Sequence, residues 1–138
     1  MPAKCYVTCK AAVWKDGKLL LQKEETDDGR FIYDLPGGRI EAGEDPKAAL
    51  RREVMEEIGV ELLAVSQAPV KVWSTMRAEQ GVVALLYQVT LASEAFDFMK
   101  GEEIEVLETA YLSKAEFEPT GDHIHKSFIL EYYDEHRS

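Results

Sequence analysis

The N-terminal part of the chain consists of apolar runs separated by polar turns. Lys4 to Trp14 is rich in β-branched, aromatic and small apolar residues, and residues 18–23 contain three successive leucines. Asp16-Gly17 lies between these runs and favours the tight turn of a β-hairpin. Residues 24–34 begin as a polar loop and lead into a short predicted strand. The Leu-Pro-Gly-Gly stretch at 35–38 is expected to end any regular element.

The middle of the chain has the periodicity of a helix. Apolar residues recur at every fourth position, as expected for one buried helix face, and these residues are Leu50, Val54 and Ile58. Asp45 is a favourable N-cap, and Pro46 suits the first helical position. Gly59 is a natural stop at the C-terminal end. The pattern therefore predicts a helix over Pro46–Ile58.

The remaining sequence predicts three strands and a second helix. The β-like runs cover about 60–75, 81–91 and 103–112. Residues 122–135 predict an amphipathic helix with one apolar face, formed by Ile124, Phe128 and Tyr132. Strands mixed with two helices indicate an α/β fold in which helices cover both faces of a sheet. The chain has no internal repeat and no Pro/Gly/Ser-rich linker, so we expect a single domain over residues 1–138.

Composition narrows the expected partners and location. The net charge of -10 argues against a nucleic-acid surface, because phosphate backbones are bound by clustered Lys and Arg. An acidic protein can still bind a phosphorylated ligand if a divalent cation bridges the two. The sequence has no run of eighteen apolar residues, and its start has no apolar signal-peptide core. We therefore expect a cytoplasmic protein that does not enter a membrane.

The cysteines and histidines have ordinary structural explanations. Cys5 and Cys9 lie in one predicted strand, which would place them about 13 Å apart, beyond the ~7 Å limit of a disulfide. We predict that both are small core residues. His123 and His125 are two positions apart at the start of a predicted helix, where they would point to different faces. We predict that both, together with His136, are surface residues.

Three glutamates in the second half of the first predicted helix carry candidate chemistry. Glu53, Glu56 and Glu57 share one helix face. Like charges at this spacing, near the negative end of the helix dipole, cost roughly a few tenths of a kcal/mol per pair. A divalent cation such as Mg²⁺ would offset this repulsion, because it prefers oxygen ligands. The alternative is a solvated acidic face, partly paired with Arg51 and Arg52, and the glutamates alone favour that alternative.

The sequence around these glutamates resembles the Nudix box, G-x5-E-x7-R-E-U-x-E-E-x-G-U, in which U is a bulky aliphatic residue. Every specified position is filled, by Gly38, Glu44, Arg52, Glu53, Val54, Glu56, Glu57, Gly59 and Val60. So complete a match is not expected by chance in a chain of this length. The chain is therefore similar to the MutT-like Nudix hydrolases. The resemblance implies their α/β/α sandwich with a mixed β-sheet.

The resemblance implies a metal-dependent enzyme, with Mg²⁺ or Mn²⁺ as the cofactor. By this similarity Glu56 and Glu57 would be metal ligands, and Glu53 would be a ligand or the base that acts on water. The backbone carbonyl of Gly37 or Gly38 would supply another ligand. The reaction would be hydrolysis of a diphosphate linkage in a nucleoside triphosphate, a nucleotide sugar or an ADP-ribose-type compound.

Two further residues of the box would support the catalytic glutamates. In the family Arg52 and Glu44 orient the glutamates through hydrogen bonds, and we count Arg52 among the catalytic residues. Each also has an ordinary structural interpretation. Arg52 could be a surface residue paired with Glu56, and Glu44 could simply favour the N-terminus of the helix electrostatically.

Many family members use an additional acidic residue from a distal loop as a ligand or base. The candidate residues in this chain are Glu102, Glu103 and Glu105. Spacing does not choose among them, and exposed charges at the start of a strand are the alternative interpretation of each.

A second functional hypothesis is a Nudix-fold sensor that binds a nucleotide without cleaving it. Homodimers are common in the family, but nothing in the sequence itself indicates the oligomeric state, which stays open.

Overall fold

The computed structural model describes residues 4–98 and 106–136. Its strands are β1 (Cys5–Ala12), β2 (Trp14–Lys15), β3 (Lys18–Glu25), β4 (Phe31–Asp34), β5 (Gly37–Arg39), β6 (Leu62–Val65), β7 (Lys71–Arg77), β8 (Gln80–Leu91) and β9 (Glu108–Leu112). Its helices are α1 (Pro46–Ile58), α2 (Lys114–Phe117) and α3 (Lys126–Glu135). Both predicted helices are present, and α2 is an addition that the sequence pattern did not predict.

The strands form two sheets. The first sheet has the order β5-β1-β8-β6, and β7 also pairs with β8. β1 and β8 run parallel from the pair Cys5 and Gly81 to the pair Ala12 and Gln88, whereas the other strand pairs of this sheet are antiparallel. In the second sheet β3 pairs with β2, β4 and β9. The predicted α/β class with a mixed β-sheet is therefore confirmed.

The predicted hairpin is present but shorter than expected. Asp16 and Gly17 have φ angles of 51° and 75°, which are typical of a two-residue hairpin turn. Only β2 pairs with β3 across this turn. The single run predicted over Lys4 to Trp14 is instead two strands in different sheets. β1 lies between β5 and β8, and both of its faces are buried from Thr8 onward.

α1 has the predicted bounds, and both of its ends are capped. The Asp45 carboxylate accepts hydrogen bonds from two backbone N–H groups of the first turn, at 3.1 and 3.2 Å. Gly59 ends the helix with a φ of 69°, in the left-handed region that favours glycine. The helix buries the predicted apolar stripe and adds two residues to it; its buried residues are Ala49, Leu50, Val54, Glu57 and Ile58.

Other element bounds differ from the prediction. The run at 60–75 is two strands, β6 and β7, because a segment that includes Pro69 interrupts it. Gly37-Gly38 does not end regular structure; both glycines lie in β5 and pair with β1. The last helix begins at Lys126, so Ile124 precedes it. Of the predicted strand 103–112, residues 108–112 form β9, and residues 103–105 lie outside the described residues.

Two apolar clusters hold the sheets and helices together. The first surrounds α1 and includes Cys9 and Leu20, and the second surrounds α3 and includes Leu21 and Trp73. Cys9 is fully buried, as predicted, but Cys5 is exposed, so the prediction for Cys5 was wrong. Both thiols are free. Across residues 4–98 and 106–136, none of the helices has the length and apolar character needed to cross a bilayer.

The N-cap of α1 gives a stability prediction. Asp45→Ala removes the acceptor for the two first-turn N–H groups, and we expect a loss of about 1 kcal/mol in the free energy of unfolding. Urea denaturation followed by tryptophan fluorescence measures it. Asp27→Ala, an exposed aspartate in the turn between β3 and β4, is the matched control and should change stability by only a few tenths of a kcal/mol. Equal effects of the two substitutions would contradict the capping role.

Candidate active site

The glycines of β5 bring the backbone of that strand against α1 and β1. A Cβ atom on Gly38 would lie 2.4 Å from the Glu53 carboxylate. A Cβ atom on Gly37 would lie 1.9 Å from the Cys9 carbonyl oxygen, and the φ of Gly37 is 140°. At Gly37 the obstacle is backbone that cannot move, and at Gly38 it is the Glu53 carboxylate, which a side chain would displace. The absence of side chains therefore allows the Glu53 carboxylate to lie directly over the strand.

The guanidinium of Arg52 binds three of the box carboxylates. Its Nε and Nη2 atoms donate to the two oxygens of Glu44, at 2.9 and 3.0 Å, and Nη1 donates to Glu53 Oε1 at 3.0 Å. Nη1 also lies 3.3 Å from Glu56 Oε2. The hydrogen bonds with Glu44, followed by those with Glu53, raise the pKa of Arg52 further above its ordinary value. Arg52 is therefore the cation of a network and not merely one partner of a surface pair.

Glu44 orients this guanidinium. Hydrogen bonding to Arg52, with help from the Glu41 backbone N–H at 3.0 Å, lowers the pKa of Glu44 to about 2. The carboxylate reaches from the loop before α1 to the second turn of that helix. This geometry agrees better with a supporting role for Glu44 than with simple placement at the helix N-terminus.

Glu57 lies in a different environment from the other two glutamates. Its Oε1 accepts a hydrogen bond from the Gly37 N–H at 2.9 Å, and its Oε2 accepts one from Gln22 Nε2 at 2.8 Å. Burial raises the pKa of Glu57 to about 8, opposed by the Gly37 hydrogen bond and the charge of Lys10. Glu56, in contrast, has a side chain that is 52% exposed. The three glutamates thus share a helix face, but the Glu57 side chain is buried and held by two hydrogen bonds, whereas that of Glu56 is exposed to solvent.

The pairing of β5 with β1 distinguishes the two glycine carbonyls. The Ala11 N–H donates to Pro36, and the Ile40 N–H donates to Val7. Hydrogen-bonded pairs alternate in an antiparallel ladder, so the backbone groups of Gly38 face β1 and those of Gly37 face away from it. The Gly37 N–H accordingly reaches Glu57. The Gly38 carbonyl instead accepts a hydrogen bond from Cys9 Sγ at 3.3 Å, and burial raises the pKa of this thiol to about 11.

Gln22, Lys10 and Asp34 also belong to this region, although the sequence analysis did not select them. Lys10 Nζ donates to Asp34 Oδ2 at 2.8 Å, and both residues are buried. Burial opposes the charge of Asp34, yet the charge of Lys10, followed by those of the histidines, holds the pKa of Asp34 well below its usual range. Lys10 interrupts a run of apolar residues, and a polar residue inside an apolar strand is the signal that could have identified it. Gln22 gives no such signal, because it follows three leucines and is itself followed by charged residues.

The prediction that His125 is a surface residue was wrong. His125 is 4% exposed, and its Nδ1 accepts a hydrogen bond from Trp73 Nε1 at 3.0 Å. Burial, reinforced by the charge of Lys10, lowers the pKa of His125 to about 4. His123 is partly buried, and its Nε2 lies 2.9 Å from the Tyr33 carbonyl oxygen. Neither histidine is in the body of α3, so the predicted helical spacing did not apply.

The distal glutamates and the metal ligands remain predictions. Glu102, Glu103 and Glu105 lie outside the described residues. Within the described ranges, no group of three His, Cys, Asp or Glu side chains forms a cluster that could hold a metal ion as it stands. The hydrogen bonds to Arg52 and to Gly37 account for the positions that the box carboxylates take instead.

Comparison with known proteins defines the class to which this fold and site belong. The fold is similar to a NUDIX hydrolase from Nitrosomonas europaea, with a TM-score of 0.78 and 23% identity over 96% of this chain and 90% of that one. It is also similar to the MutT protein of Methanosarcina mazei Go1, with a TM-score of 0.77 and 20% identity over 98% and 96% of the two chains. At these identities the two structures show the fold.

Residues 9–132 match the family model described as NUDIX domain. The chain belongs to the Nudix family, and the resemblance seen in the box is confirmed. An 8-oxo-dGTP diphosphatase of Haemophilus influenzae is 46% identical over 41 residues, which cover 30% of each chain. The Escherichia coli nucleoside triphosphatase NudI is 42% identical over 59 residues, which cover 41% of this chain and 42% of NudI. The matches thus span less than half of the length of these curated relatives.

The buried ion pair gives a second stability prediction. Lys10→Met leaves the Asp34 carboxylate buried without its cation, and we expect a loss of about 3–5 kcal/mol in the free energy of unfolding. The double variant Lys10→Met/Asp34→Asn removes both charges and should recover most of that loss. Urea denaturation of the two variants provides the comparison. If the double variant is no more stable than Lys10→Met, the uncompensated charge is not the cause.

His125 gives a prediction for acid stability. Between pH 6.5 and about 4 the unfolded chain binds a proton at His125 that the folded chain does not, so stability falls as the pH is lowered through this range. His125→Asn keeps an acceptor for Trp73 without titrating, and its stability should fall less steeply, by up to about 3 kcal/mol over the range. Urea denaturation at several pH values measures the slope. An unchanged slope in His125→Asn would contradict this assignment.

Proposed function

We propose that this protein is a metal-dependent hydrolase that cleaves a diphosphate linkage in a small nucleotide-like molecule. The observation that carries the proposal is the network around Arg52, in which one cation draws Glu44, Glu53 and Glu56 together beside the glycines of β5. Like charges on one helix face repel, and a single guanidinium offsets this repulsion only in part, so a bound cation would stabilise the cluster further. Membership of the Nudix family supports the same interpretation.

The residues at this site fit a hard divalent cation. All the candidate donors are oxygens, as Mg²⁺ and Mn²⁺ prefer: the carboxylates of Glu53, Glu56 and Glu57 and the carbonyl of Gly37 or Gly38. The ladder geometry favours Gly37, because its backbone groups face away from β1. Arg52 already balances two of these carboxylates with positive charge. Bound there, the cation would neutralise the diphosphate and lower the pKa of a coordinated water.

The residues around this cation would position the carboxylate ligands and accept a proton from the attacking water. Arg52 and Glu44 would hold the carboxylates in position by their hydrogen bonds, as residues behind metal ligands do. Glu53, whose carboxylate lies against Gly38, is a candidate to accept the proton of the attacking water. The distal glutamates Glu102, Glu103 and Glu105 remain the other candidates for this base.

Nucleoside triphosphates are the substrates that we propose first. Relatives that share up to 46% identity over part of this chain are named as an 8-oxo-dGTP diphosphatase and a nucleoside triphosphatase. With such a substrate, water would add to a phosphorus atom and the bridging P–O bond would break, giving a nucleoside monophosphate and pyrophosphate. The net charge of -10 makes a small nucleotide a better partner than a nucleic acid.

The experiment is product analysis by chromatography over a panel of nucleotides, with Mg²⁺, with Mn²⁺ and with a chelator. The panel contains the common nucleoside triphosphates, 8-oxo-dGTP, a nucleotide sugar and ADP-ribose. We expect metal-dependent release of a nucleoside monophosphate from at least one triphosphate. Tight nucleotide binding by calorimetry without any product would contradict the hydrolase proposal and support the sensor hypothesis.

The same assay tests the role of Glu56. Glu56→Gln removes a charged ligand while keeping the volume of the side chain, so kcat should fall by about 100-fold or more. Glu61→Gln, at an exposed glutamate just beyond α1, is the matched control and should retain the wild-type rate. A near-wild-type rate in Glu56→Gln would remove Glu56 from its assigned role.

A further inference from the structure

Gln22 is a buried polar side chain next to the box carboxylates. It is 1% exposed and follows three buried leucines on β3. Its Nε2 atom donates to Glu57 Oε2 at 2.8 Å and lies 3.4 Å from Glu24 Oε2. Among residues 4–98 and 106–136, its Oε1 atom is the buried side-chain oxygen or nitrogen that has no hydrogen-bond partner. Within the described residues, the amide nitrogen of Gln22 therefore has hydrogen-bond partners and the amide oxygen has none.

A half-satisfied amide is an unfavourable choice for this strand position. Burying an acceptor without a donor is costly, and methionine or leucine would fill a similar volume without that cost. Unsatisfied buried groups in native proteins usually mark a missing water or ligand or a functional site. Gln22 therefore needs an explanation beyond packing.

Turning the amide over does not solve the problem. With Glu57 ionised, as a metal ligand must be, the oxygen would then face the carboxylate oxygens of Glu57 and Glu24, which are acceptors, and the attraction would become repulsion. The two carboxylates thus fix the amide with Nε2 toward them. Lys10 Nζ donates to Asp34, and no donor among residues 4–98 and 106–136 reaches Gln22 Oε1. A water molecule is the simplest donor that could complete the amide.

We propose that Gln22 is a positioning residue of the hydrolytic site, in which Nε2–H fixes the Glu57 carboxylate and Oε1 accepts a hydrogen bond from a water molecule that arrives with the divalent cation. The inference rests on the proposed function. Mg²⁺ gives up its water reluctantly and keeps several molecules when it binds to proteins. A buried water needs two or more polar partners, and Gln22 and Glu57 supply them side by side.

The test combines metal affinity with kinetics. Binding of Mn²⁺ alone is measured by electron paramagnetic resonance for the wild type and for Gln22→Met, which removes both polar groups and keeps the volume. Substituting a residue that hydrogen-bonds to a metal ligand typically weakens metal affinity by about 10–100-fold. Mn²⁺ should therefore bind at least about 10-fold more weakly to Gln22→Met. The kcat for the best triphosphate should fall, while KM for the nucleotide should stay within about two-fold of the wild-type value.

A second variant and a control separate positioning from folding. Gln22→Leu should show the same loss of Mn²⁺ affinity, and Gln88→Met, at an exposed glutamine of β8, should not. Thermal unfolding in chelator identifies variants that fold as the wild type does. Wild-type Mn²⁺ affinity in folded Gln22 variants, beside an active wild-type enzyme, would overturn the role of Gln22 alone. A wild type without metal-dependent cleavage would overturn the proposed function and, with it, this inference.

Discussion

The binding of Arg52 to its carboxylates is the interaction on which the rest of the site depends. Without a cation at that position, the acidic face of α1 would repel itself at the negative end of the helix dipole. The guanidinium spans the gap between Glu44 in the loop and Glu53 in the helix. It therefore fixes the loop and the helix relative to one another, and the strand that carries Gly37 and Gly38 fits into the space that remains.

A second constraint comes from the inside of the fold. β1 is buried on both faces, yet it carries Lys10, whose charge is balanced by Asp34 on β4. This pair lies close enough to Glu57 for the Lys10 charge to lower the pKa of that carboxyl. Burial thus raises the pKa of Glu57, and the Lys10 charge lowers it. The charge of Glu57 therefore depends on how the two sheets pack together.

Much of the fold could be predicted from the sequence, because local signals were strong where the chain forms α1. Asp45, Pro46 and Gly59 each act on neighbouring backbone atoms, and the predicted helix bounds are correct. The division of Lys4 to Trp14 between two sheets could not be predicted, since it depends on partners far along the chain. His125 and Gln22 were missed for the same reason. Their environment is set by Trp73 and Glu57, which approach only in the folded protein.

The parallel pairing of β1 with β8 has a consequence for how the protein folds. Cys5 pairs with Gly81, so more than half of the chain must be synthesised before the first strand meets β8, whereas its other neighbour, β5, is available much earlier. Pairings between distant segments form slowly, because closing the long intervening loop costs entropy before any contact is gained. On a ribosome, the backbone edge of β1 that pairs with β8 would stay unpaired while α1 and the β3–β4 pair form locally. This period is when the nascent chain is most open to aggregation or to capture by a chaperone.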